Sequence, residues 1–391
     1  MAAVFYYLIY NPAAGGGAAI PIFKQVKAVL DQRQLPYAIK TSRYPGHTNI
    51  IAKQIGNFNT RDHAILLVIG GDGTLNQAIN GLIGTRQHDL PVAYVPAGSG
   101  NDFARGIGMS EDPMHALEQV LQATKPVAID IGRYHERTRD ETGYFVNNIG
   151  IGFDAAVVSA ANHSDSKQLL NKFHLGKLTY LFHVIGSLLT RRPFPVAVYE
   201  KGVRHFFHRA YICTTTNIPY FGGGIQIYKP ADPTDGHLDL IIVEWFNIVS
   251  WAFAMIQLMR GKAPTSRAVH LFHAKKLTVE TSSLEFGQMD GEEMGTRPFE
   301  IDFSVASQQF WIDRVFNFLN SFQLKKPSDK NQSEAFSLLS HKTHHVQALT
   351  TACSLSKCRS EIVRKIRLFH RYRILQQLDR MFASRQTLDL G

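Results

Sequence analysis

Short apolar runs alternate with helical periodicity along the first third of the chain. Residues 4–10 (VFYYLIY), 64–71 (AILLVIGG) and 92–96 (VAYVP) have the length and composition typical of buried strands. The second run is followed by apolar residues at helical spacing, namely Leu75, Ala78, Ile79 and Leu82. Strands that alternate with helices predict a parallel sheet covered by helices. Each strand leads into a glycine-containing loop, so we expect these loops together at the carboxyl edge of the sheet.

The pattern changes after about residue 130, where strands follow one another with few helices between them. The strand-like segments are GYFVNNIGIGF, FPVAVYE, HRAYICTTTN, HLDLIIVEW, KKLTVETSS and FEIDFS. Two segments with helical periodicity, 167–190 and 248–261, interrupt them. This part of the chain is therefore predicted to be a mainly antiparallel β domain.

Length and composition indicate a globular protein with more than one domain. The 391 residues are 45% apolar and 19% charged, which excludes a disordered chain. The polar, proline-containing stretch 323–335 predicts a linker. We expect an α/β domain at 1–130, a β-rich domain at 131–322, and a linker with a basic helical tail at 323–391. The last strand of the second domain could return to the first.

The sequence predicts a cytoplasmic protein without a membrane span. The N-terminus has no basic leader, so we do not expect export. The longest uncharged apolar stretch, 245–259, is shorter than the roughly 20 residues that a spanning helix needs. Cys213, Cys353 and Cys358 are odd in number and lack the spacing of a metal site, which suits a reducing compartment.

Positive charge is concentrated in the tail. Residues 325–391 contain 13 Lys and Arg against 5 Asp and Glu, which is +8 of the total charge of +10. Such a segment can bind nucleic acid or an anionic membrane surface. We expect no nucleic acid, because no base-stacking motif accompanies the charges.

The sharpest chemical signal is GGDGTLN at 70–76, between a buried strand and an amphipathic helix. Glycines let the backbone approach a phosphate closely, and the first N–H groups of a helix favour an anion. Asp72 would repel a bare phosphate, so its presence indicates a nearby cation. The alternative is an ordinary strand-to-helix turn in which Asp72 is a local cap.

Five motifs in order carry a family resemblance. They are NPAAGGG (11–17), GGDGTLN (70–76), PAGSGNDFARG (96–106), YFGGGIQIYKPADPTDGHLDLIIVE (220–244) and MDGEE (289–293). Together they resemble the catalytic domain of diacylglycerol kinases and the related sphingosine kinases and bacterial lipid kinases. GGDGT alone is shared with NAD kinases and phosphofructokinases, but an NAD kinase does not explain PAGSGNDFARG together with MDGEE. The resemblance covers about residues 4–315.

The resemblance implies a phosphofructokinase-like or NAD-kinase-like α/β domain that binds ATP, joined to a β-rich domain for a lipid substrate. The implied reaction is transfer of the γ-phosphoryl group of ATP to a lipid hydroxyl, with diacylglycerol as the expected acceptor in phospholipid biosynthesis. Phosphoryl transfer needs positioning and charge neutralisation, which glycine loops, a metal and one base supply. The positions that match ATP-binding residues are Asn11, Pro12, Ala13, Ala14, Gly15, Thr41, Gly70, Gly71, Asp72, Gly73, Thr74, Leu75, Asn76 and Ser99.

The resemblance also implies catalytic and magnesium-binding residues. Glu292 matches the family's proton acceptor, and Asp290 matches its essential neighbour. Asp235 matches a structural Mg²⁺ ligand, with backbone carbonyls expected from two further residues and water-linked carboxylates from two others. The carbonyl positions are Asp232 and His237, and the water-linked positions are Asp72 and Asp102.

The sequence departs from the family pattern at two positions, and at a third position two residues match the family equally well. Many relatives have a second acidic residue where Thr234 stands, and NPAAGGG lacks the lysine often found in that loop. Phosphate contacts in that loop would therefore use backbone N–H groups. Ser42 matches the family's threonine as well as Thr41 does.

A kinase that acts on a lipid must meet it at the membrane, and two segments combine apolar with basic residues. One contains Trp245, Phe246, Trp251 and Phe253, followed by Arg260 and Lys262. The other is the tail, with apolar residues from Ile362 to Tyr372 opposite arginines. We expect peripheral membrane contact, although each segment could instead pack within the protein or on a partner.

Several alternatives stay open at this point. The acceptor could be another lipid or polyprenyl alcohol, such as a sphingoid base or undecaprenol, because no motif specifies an acceptor pocket. The chain could also be a catalytically silent regulator that binds lipid or nucleotide, given Thr234 and the missing lysine. The sequence does not exclude a homodimer.

Overall fold

A computed structural model describes residues 4–152, 192–260 and 266–313. These residues belong to one compact unit that comprises residues 1–320. The predicted helical insertion at 167–190, the tail at 323–391 and Lys262 lie outside the described residues. Within the described residues, no helix is both long enough and apolar enough to cross a membrane.

The first domain is a four-stranded parallel sheet with helices packed against it. Its strands are β1 (Phe5–Tyr10), β2 (Tyr37–Thr41), β3 (Ala64–Gly70) and β4 (Val92–Pro96). Its helices are α1 (Ala19–Gln32), α2 (His47–Phe58), α3 (Asp72–Leu82), α4 (Asp102–Gly106) and α5 (Pro113–Gln122). The strand order is β2-β1-β3-β4, and every neighbouring pair is parallel.

Burial explains the sequence pattern of this domain. All seven residues of β3 are buried, as expected of a central strand that is covered on both faces. On α3, the side chains of Leu75, Ala78, Ile79 and Leu82 have no exposed surface. The predicted helical periodicity is therefore confirmed, and it turns one face of α3 toward the sheet.

The second domain is antiparallel. Its strands in the main sheet are β5 (Val127–Glu136), β6 (Glu141–Phe145), β7 (Asn148–Gly152), β8 (Phe194–Glu200), β9 (Val203–Thr216), β12 (Leu238–Glu244), β13 (Val269–Ala274), β14 (Lys276–Thr281), β15 (Glu285–Met289), β16 (Glu292–Arg297) and β17 (Glu300–Phe310). A small hairpin is formed by β10 (Tyr220–Phe221) and β11 (Ile225–Gln226). Helix α6 (Ile248–Met259) follows β12 and begins with a capping box of Asn247 and Ser250. The predicted α/β domain and mainly antiparallel β domain are confirmed, whereas the predicted helical tail lies outside the described residues.

One strand joins the sheets of the two domains. β17 pairs with β5 along its whole length and with β14 from Glu300 to Ser304, and its last residue, Phe310, pairs in parallel with Val92 of β4. The indole N–H of Trp311 donates to the carbonyl of Val120 in α5, which fixes the chain after β17 against the first domain. Apart from the hairpin of β10 and β11, the described strands therefore form one 15-stranded sheet that runs through both domains.

Candidate active site

Three glycine-containing loops meet at the carboxyl edge of the parallel sheet. A Cβ added to Gly98 would lie 2.5 Å from the Cα of Gly71, so these two backbones touch where no side chain fits. A Cβ added to Gly15 would lie 2.5 Å from the carbonyl oxygen of Ala97. The backbone N–H of Ala97 donates to the carbonyl of Gly70 at 2.7 Å. The structure thus brings together the loops after β1, β3 and β4, as the sequence predicted.

The loop after β1 is shaped by its own side chains and glycines. The side-chain amide of Asn11 donates to the hydroxyl of Thr74 at 3.0 Å, and its oxygen accepts the N–H of Ala13 at 3.1 Å. Gly15 and Gly16 have φ of 59° and 66°, the left-handed region that favours glycine. This conformation turns the chain sharply before α1. The loop contains no lysine.

Two further predicted ATP-binding residues, Thr41 and Ser99, are exposed near the carboxyl edge of the sheet. Thr41 is exposed and pairs with Tyr10 at the end of β1, whereas Ser42 next to it is buried. Ser99 is exposed in the loop after β4. The structure therefore keeps both Thr41 and Ser42 beside the loop after β1.

Asp72 and Asp102 connect two of the loops. The carboxylate of Asp72 accepts the backbone N–H of Asp102 at 2.8 Å and that of Phe103 at 3.3 Å, at the start of α4. The carboxylate of Asp102 accepts the N–H groups of Gly223 and Gly224 from the second domain, at 2.8 and 2.7 Å. Burial raises the pKa of Asp72 to about 6. Both carboxylates therefore organise the cleft through backbone contacts.

Glu292 reaches the first domain from the hairpin of β15 and β16. A Cβ added to Gly73 would lie 2.9 Å from Oε1 of Glu292, so this carboxylate lies directly against the GGDGTLN turn. Gln77, one turn further along α3, hydrogen-bonds the same carboxylate. Burial raises the pKa of Glu292, and the bond from Gln77 opposes this shift. The residue keeps exposed surface, so an incoming group can reach it.

Asp290 fixes this hairpin to both domains. Its carboxylate accepts the backbone N–H groups of Val146, Asn147 and Asn148 at 2.8 to 3.0 Å. It also accepts the side-chain amide of Asn76 in α3 at 2.8 Å. Burial raises the pKa of Asp290 to about 7, and the four donors oppose that shift. A carboxylate with four donors is a positioning group for the residues around it.

The local geometry explains how Asp290 and Glu292 address one site. Asp290 and Gly291 have φ of 50° and 86°, the conformation of a tight two-residue hairpin that Asp-Gly favours. The carboxylate of Asp290 also interrupts the segment predicted as a single strand, GYFVNNIGIGF. That segment forms two strands, β6 and β7, because the N–H groups at the break are bound to Asp290.

Sequence reasoning missed several residues of this site. Gln77 binds Glu292, and the side chain of Asn80 both accepts from and donates to the backbone of Tyr144 at 2.9 Å. Arg105 donates to Glu111 with two nitrogens at 2.7 Å and to Asp102 at 2.7 Å. A signal for Gln77 existed, since it follows Gly73 by four residues and so shares its helix face.

One predicted magnesium ligand, Asp235, belongs to a cluster of potential metal-binding side chains in the second domain. Asp235 lies beside His237 and His273, with one potential ligand atom from each within 4.8 Å of the others. Thr234 donates to Asp232 through its N–H at 3.0 Å and its hydroxyl at 2.6 Å. The exposed carboxylates provide the oxygen ligands that Mg²⁺ prefers, whereas the two imidazoles would also suit a transition metal. The residues present therefore fit a divalent cation.

Two family profiles match the chain. The Diacylglycerol kinase catalytic domain matches residues 6–134, which contain the three glycine loops. The YegS C-terminal NAD kinase beta sandwich-like domain matches residues 147–309, which contain the hairpin with Asp290 and Glu292. The two profiles follow each other along the chain in the order of the two structural domains.

Individual relatives agree with these profiles. The chain is 28% identical over 299 residues to "Putative lipid kinase YtlR" of Bacillus subtilis, covering 76% of this chain and 96% of the relative. It is 27% identical over 260 residues to a "Putative lipid kinase" of Staphylococcus aureus, covering 64% of this chain and 79% of the relative. A solved structure titled "A putative diacylglycerol kinase from Bacillus anthracis" superposes with a TM-score of 0.60 at 18% identity, covering 80% and 98%. The last similarity supports the fold.

Replacing Asp290 with alanine should destabilise the protein, because four buried donors would lose their common acceptor. We expect the free energy of unfolding to fall by about 3 kcal/mol, measured by urea unfolding followed by circular dichroism. Asp290→Asn keeps one acceptor oxygen and should have an intermediate effect. Asp62→Ala, at an exposed turn, is the control and should change the free energy by less than about 0.5 kcal/mol. Equal stability of Asp290→Ala and the control would contradict this role.

Proposed function

The chain belongs to the lipid kinase family that joins a diacylglycerol kinase catalytic domain to a YegS-type C-terminal domain, and we propose that it phosphorylates diacylglycerol. In the proposed reaction, the γ-phosphoryl group of ATP is transferred to the free hydroxyl of diacylglycerol, which produces phosphatidic acid. The observation that carries this proposal is the contact of Glu292 with the GGDGTLN turn, since it joins a base to the phosphate-binding edge.

The polyphosphate of ATP would bind where the three glycine loops meet. At this edge the backbone contact of Gly71 and Gly98 leaves no side chain between the loops. The start of α3 follows directly, and its first N–H groups favour an anion. Binding would therefore rely on backbone amides, which accounts for the absence of a lysine from the loop after β1.

Glu292 would accept the proton of the acceptor hydroxyl. As the hydroxyl oxygen bonds to the γ-phosphorus, the bond from that phosphorus to the bridging oxygen breaks, and ADP leaves with the electron pair. A carboxylate whose pKa is raised by burial is a stronger base than an ordinary glutamate. Asp290 would act as a positioning residue that holds the hairpin carrying Glu292.

Magnesium would be held by the carboxylate of Asp235 with carbonyls of Asp232 and His237. When bound, the ion would neutralise negative charge near the cleft and stabilise the turn at 232–237. Asp72 and Asp102 would contact it through water, and their backbone hydrogen bonds leave oxygen lone pairs free for this.

Glu292→Gln should abolish most transfer while leaving the fold and ATP binding intact. We expect kcat to fall by about a hundredfold to ten-thousandfold, because the amide cannot accept the proton. The assay uses labelled ATP, magnesium and a panel of lipid alcohols that includes diacylglycerol, a sphingoid base and undecaprenol, with identification of the product. Glu293→Gln, the neighbouring position on β16, is the matched control and should retain activity. No phosphorylated lipid from the unaltered protein would favour a silent binding protein.

On the acid side of the pH profile, activity should fall at a higher pH than it would with a glutamate of ordinary pKa. Transfer requires the ionised form of Glu292, and burial raises its pKa, so activity should fall as the pH drops through that raised value. Gln77→Ala removes the bond that lowers this pKa and should move the acid limb to higher pH. Measurement of kcat/KM against pH for both proteins tests this, and a shift to lower pH would contradict it.

Asp235→Asn should weaken magnesium binding, measured by isothermal titration calorimetry. Asp232→Asn is the control, because Asp232 would contribute its backbone carbonyl and an asparagine oxygen can still accept the bonds from Thr234. We expect a loss of about tenfold or more in affinity for the first variant and little change for the second. Tighter binding of Zn²⁺ than of Mg²⁺, lost in His273→Ala, would contradict the magnesium assignment.

A further inference from the structure

Among the residues that the structure describes, one of the two apolar faces of helix α6 is covered and the other is exposed. Val249, Phe253 and Ile256 lie at i, i+4 and i+7 and are 74%, 53% and 47% exposed. On the opposite side, Trp251, Ala254 and Leu258 pack into a core cluster with β9 and β12. The covered face is enough to attach the helix to its domain, so the exposed stripe needs a separate explanation.

The exposed stripe differs from scattered surface hydrophobics, which are common and require no explanation. From Ile248 to Met259 the helix contains no charged residue, so no charge interrupts the stripe. Ile248, at the start of the helix, is 47% exposed and Phe246 before it is 46% exposed. The apolar surface therefore continues from the loop before α6 along the helix.

Positive charges stand at both ends of this surface. Arg260 follows the last residue of α6 and continues the stripe at i+11 from Val249, with an exposed side chain. At the other end, the guanidinium of Arg209 lies 5.7 Å from the ring centre of Phe246. A helix with an apolar side and arginines at its margins matches a bilayer surface, where apolar groups enter the acyl region and cations meet phosphate headgroups.

We propose that Phe246, Val249, Phe253 and Ile256 form a membrane-docking face that inserts into the surface of an anionic bilayer, with Arg209 and Arg260 at the headgroups. The inference rests on the proposed function, because a kinase whose acceptor is a lipid has to reach it in a membrane. The positive charges favour an anionic bilayer over a second copy of the chain at this face. A second copy would bring the same arginines to the contact, where like charges would repel each other.

The docking face is linked to the candidate active site through a short chain of contacts. Ile227 and Tyr228 pack into the same cluster as the covered face of α6. A few residues earlier, the N–H groups of Gly223 and Gly224 bind the carboxylate of Asp102 at the glycine loops. Docking through α6 would therefore hold the cleft in a defined orientation to the membrane.

The test is co-sedimentation of the full chain with vesicles, in the absence of ATP. Val249→Glu and Phe253→Glu, alone and together, should each weaken binding to phosphatidylcholine–phosphatidylglycerol vesicles by about tenfold or more, because a charge would enter the apolar layer. Phe58→Glu is the matched control, since Phe58 ends α2 in the first domain and is 79% exposed. Its binding should equal that of the unaltered protein, and circular dichroism verifies the fold of all variants.

The charge contribution is measured separately. Arg209→Gln with Arg260→Gln should reduce the preference for vesicles that contain phosphatidylglycerol over pure phosphatidylcholine, and added salt should remove the remaining difference. Vesicle binding that is the same for the Phe253→Glu and Phe58→Glu variants overturns the proposal. A change of oligomeric state in Phe253→Glu, without a change in vesicle binding, assigns the face to a second copy and also overturns it.

Activity measurements distinguish this inference from the proposed function. With diacylglycerol in detergent micelles, Phe253→Glu should phosphorylate at the rate of the unaltered protein, whereas with vesicles it should lose about tenfold. Failure of the unaltered protein to phosphorylate any acceptor in either form would refute the kinase function. The vesicle binding data would still decide whether α6 is a docking face.

Discussion

The carboxylate of Asp290 is the interaction on which the geometry of the cleft depends. It lies between the amide of Asn76 in α3 and three consecutive backbone N–H groups at the break between β6 and β7. A buried group that accepts four hydrogen bonds allows its neighbours little freedom, because any displacement leaves donors unsatisfied. Its hairpin therefore delivers Glu292 to Gly73 in one orientation. The base of the proposed reaction is thus positioned by a residue that need not touch the substrate.

Backbone contacts impose the second constraint. A methyl group on Gly98 would lie 2.5 Å from the Cα of Gly71, and one on Gly15 would lie 2.5 Å from the carbonyl oxygen of Ala97, whereas one on Gly71 would lie 3.1 Å from the Cα of Gly98. The close approach of the loops therefore depends above all on glycine at positions 98 and 15. The result is an edge lined by main-chain groups, which suits a polyphosphate that is recognised by amides and not by a lysine.

Much of this arrangement was predictable from sequence. The buried strand at 64–70 and the helix after it followed from continuous and then periodic apolar positions, and parallel strands placed their loops at one edge. An Asp-Gly pair such as Asp290-Gly291 also favours a tight turn. The helix face of Gln77 could be inferred from its spacing to Gly73, but its bond to Glu292 and the break between β6 and β7 were not predictable, because both depend on contacts between segments more than 140 residues apart. The covered and exposed faces of α6 were also ambiguous, since both are apolar.

The sheet that runs through both domains has a mechanical consequence. In a kinase whose lobes are joined by a flexible tether, the lobes can rotate apart to admit and release substrates. Here β17 continues from the second domain into the edge of the parallel sheet at Phe310, and the chain after it is bonded to α5. A strand that joins the two sheets in this way opposes rigid-body rotation of the two domains away from each other. Nucleotide exchange and lipid entry would then depend on displacement of loops and side chains around the joined sheets.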